Sequence, residues 1–272
     1  MDISDKSNAA EWEKRSKLWG SSIKSVLHKS LPDIFNEHFH NWHLRIISST
    51  IEKKENLRIL DVGCGWGRLT IPIKEMFPDA QLTGLDISEN YVRLYKEKTG
   101  CEAFVATLED MPPELGEFDY IICVTVLMYV DDANLKKAVD NLFKHLKVGG
   151  KLILIENNWS GVPFQTAFGL LKLFRNKSKK DIETGGRTFK MGEIGRLFFI
   201  DGEVKSVRRI PCTTINFLPL YIITRFFPKP VARFFLRAVT FFDNLFGGWM
   251  LPSIYIAKVI EQDLYPLHHP KI

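Results

Sequence analysis

Two periodicities alternate along the middle of the chain. Short apolar runs rich in β-branched residues occur at 58–62, 81–87, 103–106, 117–124 and 151–156. Such runs predict buried strands. Between them, apolar residues recur every three or four positions. Leu69, Ile71, Ile73 and Met76 predict a helix that ends at Phe77-Pro78. Residues 88–99 predict a second, with Ser88 as its N-cap and Gly100 as its stop. A third starts at Asp131-Asp132 and carries Leu135, Val139, Leu142, Phe143 and Leu146 on its core face. Strands without solvent alternation, each followed by a helix, imply an α/β fold around a parallel sheet.

The flanks read differently. Residues 1–10 are polar and expected to fray. Helical spacing then runs from Glu11 to about Glu52, broken near Gly20 and at Leu31-Pro32. Beyond the fifth strand, Trp159 to Gly202 predicts an apolar helix, a basic turn, a glycine loop and a short helix. Glu203 to Ile210 alternates charged and apolar residues, as a half-exposed strand does, and Pro211 is expected to end it. Ser253 to Ile260 predicts a closing strand. The chain divides into a helical cap (1–52), an α/β core (53–158) and an insertion with closing strands of the same domain (159–272).

The chemistry concentrates at Asp61-Val62-Gly63-Cys64-Gly65-Trp66-Gly67, where a strand meets a helix through alternate glycines. Glycines there permit a sharp turn and close backbone approach to a ligand. The second strand ends on Asp86, placed to accept both hydroxyls of a ribose. Dinucleotide sites favour G-x-G-x-x-G, whereas this turn is G-x-G-x-G preceded by an acid, so NAD is disfavoured. The pattern resembles the first motif of class I S-adenosylmethionine-dependent methyltransferases. The resemblance extends in order through Ala106 to Pro112, the Phe118-Asp119 opening of strand four, and Leu146 to Glu156.

This resemblance implies a Rossmann-like seven-stranded sheet with helices on both faces, the last strand antiparallel and inserted beside the sixth. It implies S-adenosyl-L-methionine as cofactor and S-adenosyl-L-homocysteine as product. Asp61, Gly63, Cys64, Gly65 and Gly67 would form the methionine-side turn, and Asp86 would take the ribose. Ile87, Thr107, Leu108 and Glu109 would surround the adenine, with Val124 on the methionine side. Thr107 stands where many relatives carry Asp, and Tyr129 where many carry His. Trp12 and Trp19 of the cap would cover the sulfonium, which aromatic faces attract; packing the helix onto the core is the alternative. Candidate bases are Glu156, Tyr129 and His43.

Composition narrows the partners. A net charge of +5 over 272 residues is mild, and no nucleic-acid motif appears. Four cysteines without a C-x-x-C pair, and no apolar signal core at the N-terminus, suggest a cytoplasmic protein with reduced thiols. His38, His40 and His43 cluster, but without an acid to complete a metal set no metal is expected. Residues 213–251 are rich in phenylalanine, with Arg225, Lys229, Arg233 and Arg237 spaced by fours. A peripheral membrane anchor, the wall of an apolar acceptor pocket and an oligomer contact all fit this pattern.

The expected function is methyl transfer to a small-molecule or lipid-like acceptor, most readily at oxygen. Gly67-Arg68-Leu69-Thr70 and Glu156-Asn157-Asn158 also resemble protein N-terminal methyltransferases, so a peptide acceptor is an alternative. A non-catalytic cofactor-binding scaffold is the third.

Overall fold

The computed structural model describes residues 3–27, 32–157, 189, 193, 204–212, 224–246 and 255–262. The expected helices and loop of 159–202, apart from isolated residues, lie outside this set, as do 213–223, 247–254 and Asn158. Among the described residues seven strands form one sheet: β1 (Arg58–Val62), β2 (Gln81–Asp86), β3 (Glu102–Val105), β4 (Phe118–Val124), β5 (Leu146–Asn157), β6 (Val204–Cys212) and β7 (Tyr255–Gln262). Their order is β3-β2-β1-β4-β5-β7-β6. The first five pair in parallel, and β7 is antiparallel to both β5 and β6. The order reverses between β1 and β4, which opens a crevice at their C-terminal ends.

Strand alternation explains why both faces of this sheet need cover. Ile59, Ile122, Ile153 and Ile155 point to one side and join Phe35, Phe39, Trp42 and Ile47 of helix α3 (Asp33–Thr50). Leu60, Val62, Ile121, Cys123 and Leu154 point to the other and meet Ala138, Val139 and Leu142 of α6 (Leu135–Lys144). The remaining helices are α1 (Ile3–Trp19), α2 (Ile23–Val26), α4 (Thr70–Met76), α5 (Glu89–Thr99) and α7 (Lys229–Phe246). Ser88 caps α5 by accepting from Tyr91 N, and Gly100 ends it in the left-handed conformation at φ 66°.

Several boundaries differ from expectation; Leu146, expected on the core face of the third helix, lies past the end of α6 at Lys144 and opens β5. Helix α1 begins at Ile3 rather than near Glu11, because Asn8 anchors that end through a 3.0 Å bond from Nδ2 to the Tyr129 carbonyl. Helix α6 starts at Leu135, since Asp131 to Asn134 closes a turn first. Pro211 does not end β6; it pairs with Ile256 inside the strand. β6 is the edge of the sheet, where a missing N–H is tolerated.

Gly84 marks the tightest packing between sheet and helix. A Cβ there would sit 2.8 Å from both Tyr95 Cζ and Cys64 Sγ. Tyr95 is fully buried and bonded, so it has no easy retreat. Gly84→Ala is expected to cost about 1–3 kcal/mol, read as a lower urea midpoint; an unchanged midpoint would show that Tyr95 repacks freely.

Candidate active site

The crevice holds a cleft lined by the glycine turn, the ends of β1, β2 and β4, and segments 106–109 and 125–130. Its roof comes from α1 and α2 through Asn8, Trp12 and Val26. About 800 Å³ of empty space lies within it, open mouth included.

The turn takes its shape from hydrogen bonds to the second strand. Gly63 N and Cys64 N both donate to Leu85 O, at 2.7 and 3.1 Å. Gly63, Gly65 and Gly67 all have positive φ. A Cβ on Gly63 would lie 2.4 Å from Val126 Cγ2, and one on Gly65 2.8 Å from Val26 Cγ1. The turn is therefore pressed closely by its neighbours, and side chains there would collide. Asp86 closes the circuit: Oδ2 accepts from Gly65 N at 2.9 Å and Oδ1 from Ser88 N at 3.0 Å. A carboxylate has about four acceptor positions, so each oxygen keeps capacity toward the cleft.

Asp61 lies beneath the turn instead of lining the cleft. It accepts from Thr70 Oγ1 at 2.7 Å, and Tyr95 OH lies 3.1 Å from the same hydroxyl. Burial raises both carboxyls, Asp61 and Asp86, to about 6. For Asp61 the Thr70 bond and the nearby Arg68 charge oppose the rise; for Asp86 the backbone bonds do. Burial likewise pushes the Cys64 thiol well up, and its side chain sits behind the turn.

The roof is pinned by polar contacts. Glu13 Oε2 accepts from Ser88 Oγ at 2.7 Å and Asn90 N at 3.1 Å, which fastens α1 across the start of α5. Arg15, 5% exposed, lies 4.9 Å over the Trp12 ring and donates to the carbonyls of Lys24 and Leu27. Tyr91 OH donates to Ser25 O at 2.8 Å. Trp12 in turn meets Tyr129 edge to face, with ring centroids 5.2 Å apart.

Of the expected site residues, Gly63, Gly65, Asp86, Ile87, Thr107, Leu108, Glu109, Val124 and Tyr129 line the cleft. Others stand elsewhere. Trp19 shares a face with Trp12 but lies two turns, about 10 Å, further along α1, where it is 42% exposed. Gly67 packs on Thr99 and Tyr95. Glu156 is fully buried, and Oε1 accepts from Val126 N at 2.9 Å and Leu127 N at 2.7 Å. It supports the turn that carries Tyr129 and does not reach the cleft. His43 is also buried, 3.4 Å from Arg68, while His40 Nδ1 lies 2.8 Å from the same guanidinium. The two histidines thus hold an arginine. Burial and Arg68 push His40 down to about 4. Among the described residues no cluster of His, Cys, Asp and Glu could hold a metal.

Sequence reasoning missed Asn8, Val26, Tyr91 and Thr125 in the lining. Thr125 left one trace only in the structure, a φ of 57° that is rare for a β-branched residue. Such strain gathers where a fold over-determines a site.

Residues 59–150 match the family model described as a methyltransferase domain. That stretch is similar to the methyltransferase domains of the class I S-adenosylmethionine-dependent family. The chain is 26% identical over 184 residues to malonyl-[acyl-carrier protein] O-methyltransferase of Bacillus anthracis, covering 65% of this chain and 64% of that protein. It is 29% identical over 192 residues to demethylmenaquinone methyltransferase of Staphylococcus carnosus, covering 65% and 77%. Several curated relatives are matched over only half to two thirds of their length (64%, 50% and 54%). The N-methyltransferase NodS of Bradyrhizobium japonicum, solved with S-adenosyl-L-homocysteine, shares the fold of this methyltransferase chain. Its TM-score is 0.55 at 15% identity, over 96% of this chain and 99% of that one.

The buried Glu156 makes a test of its own. Glu156→Ala leaves two backbone N–H groups unanswered and is expected to cost about 1–3 kcal/mol. Glu156→Gln keeps an acceptor oxygen and should lose less than about 1 kcal/mol. Urea midpoints of the two variants measure this; equal losses would refute the support role.

Proposed function

We propose that the chain binds S-adenosyl-L-methionine in this cleft and transfers its methyl group to a small-molecule or lipid-like acceptor, at oxygen. The observation that carries this reading is Asp86. Its carboxylate grips the glycine turn from the end of β2 and keeps acceptor capacity toward the cleft. Two vicinal ribose hydroxyls fit that capacity. Ile87 and Leu108 offer apolar surface for an adenine, with Thr107 and Glu109 at its polar edge. Gly63 and Gly65 let the methionine chain run along the backbone.

When bound there, the cofactor supplies a methyl group already activated on a sulfonium. The chain's own work is placement and drying. Trp12 and Tyr129 present aromatic surface at the roof, which suits a nearby cation. Gly63, Gly65 and Asp86 would hold the cofactor while its methyl group passes to an acceptor oxygen and the electron pair of the carbon–sulfur bond stays on sulfur. The acceptor's proton leaves to solvent or to a cleft group. Tyr129 is the one expected base that lines the cleft, and we assign it the task of orienting the acceptor. The O-methyltransferase and quinone-type relatives support an oxygen or lipid-like acceptor.

Calorimetric titration with S-adenosyl-L-methionine, with NAD as control, tests the cofactor. Transfer of labelled methyl from it to lipid and small-molecule extracts tests the acceptor. Asp86→Asn is expected to weaken cofactor binding about 10- to 100-fold, since charge-assisted bonds are worth ~1.5–3 kcal/mol. Asp86 is raised to about 6, so it is protonated below that pH and ionised above it. Affinity should therefore rise as pH increases through about 6, and the step should shrink in Asp86→Asn. Unchanged affinity in the variant would remove Asp86 from the site. Binding without any methyl transfer would favour the scaffold reading.

A further inference from the structure

Helix α7 uses only one face inside the molecule. Ala232 and Leu236 are buried against the α3 layer, at 1% and 4% exposure. At ~100° per residue, Phe234 lies diametrically opposite that seam. It is 67% exposed, and Phe241, on the same side, is 62% exposed. Val231 and Phe235 widen the outer face, and Phe226 and Phe227 extend it at the helix's N-terminal end. A helix that has already buried its docking stripe still shows a second apolar face, too continuous to be scattered surface residues.

One flank of that face is basic. Arg233 and Arg237 line a cleft between α3 and α7, where Arg45, His38, Asn41 and Glu37 supply the other polar side chains. Arg233 Nη2 lies 3.9 Å from Glu37 Oε2, and both side chains are more than half exposed. Burial and the adjacent Arg45 hold His38 down at about 4, so it is neutral. Three guanidinium groups therefore face one carboxylate. Arg225 and Lys229 are exposed nearby.

We propose that this face of α7 docks on an anionic phospholipid bilayer, with the phenylalanines entering the interface and the arginine-lined cleft receiving a lipid phosphate. Phenylalanines on one face and cations on its flank are what interfacial helices use. Long arginine side chains reach the headgroups while their stems stay with apolar surface. Charge complementarity selects the partner. Among the described residues a second copy of this face brings more cations and no acidic patch, whereas an anionic bilayer supplies the counter-charge. No described helix is long and apolar enough to cross a membrane, so the contact is peripheral at α7.

The proposal goes beyond methyl transfer and stands apart from it. The purified full chain is sedimented with phosphatidylglycerol-containing vesicles and, separately, with pure phosphatidylcholine vesicles. Binding at least tenfold stronger to the anionic vesicles is expected. Arg233→Gln with Arg237→Gln should weaken it about 30-fold, at about fivefold per arginine. Phe234→Ser with Phe241→Ser should weaken it about tenfold or more. Both variants should titrate S-adenosyl-L-methionine like the parent chain, because α7 does not line the cofactor cleft. No vesicle binding, equal binding to both vesicle types, or variants that bind like the parent would overturn the proposal. A dimer in sedimentation equilibrium that the phenylalanine variant splits would overturn it in favour of a second copy. Loss of cofactor binding by the parent chain would count against the functional reading alone.

Discussion

The structure hangs on the Asp86 carboxylate. One oxygen takes Gly65 N in the turn after β1, and the other takes Ser88 N at the start of α5. A single side chain thus ties together the two strand ends that face the crevice. Burying it is expensive, as its rise to about 6 shows. Backbone N–H groups offset part of that cost by bonding the charged form. Evolution toward stability alone would favour an apolar group here. A carboxylate held ready at the mouth of a cleft makes sense when a ligand completes its shell.

Around that bond the fold builds outward in layers of support. Asp61 is kept in place by Thr70, and Arg68 beside it is held by His40 and His43 from α3. Glu156 plays the same part on the far side, answering the N–H groups of Val126 and Leu127 so that Tyr129 faces the cleft. The roof is separate in kind. It is fastened by polar contacts of Glu13, Arg15 and Tyr91 and by the edge-to-face contact of Trp12 with Tyr129.

Strand positions, the glycine turn and Asp86 were legible because each follows from a local rule: apolar runs, positive φ, the acid at the end of the second strand. The roles of Glu156 and His43 were not. Both were placed near the mouth by strand-end or helix position, and position alone does not say which way a side chain turns. Strand alternation would have helped with Glu156: two residues past Leu154, it points to the same face, into α6's layer and away from the crevice. His43 is expected as a candidate base, with no metal expected of the histidine cluster, whereas Arg68, the partner that His40 and His43 share, is distant in sequence. Trp19 failed for a third reason. Helical period assigns a face but not a height along the axis. Pro211 failed for a fourth, because a proline ends a strand only where its N–H is needed, and β6 is an edge.

Helix α3 lies between the cofactor-side turn and the proposed bilayer-docking face of α7. Its histidines reach Arg68 under the cofactor-side turn, and its Trp42 and Ile34 lie in the core and also line the basic cleft beside α7. Phe35 and Ile47, at 1% and 0% exposure, lock it onto the sheet. Coupling between two sites requires an element with two arrangements that both sites bias. A helix buried on this scale has one arrangement. Its contribution is therefore geometric: it seats Ala232 and Leu236 of α7, so that a bilayer docked as proposed on the phenylalanine face would meet the fold in one pose. An acceptor that resides in the bilayer would then approach the cleft along a repeatable path, and the orientation of α7 would govern which acceptors arrive without altering how the methyl group is transferred.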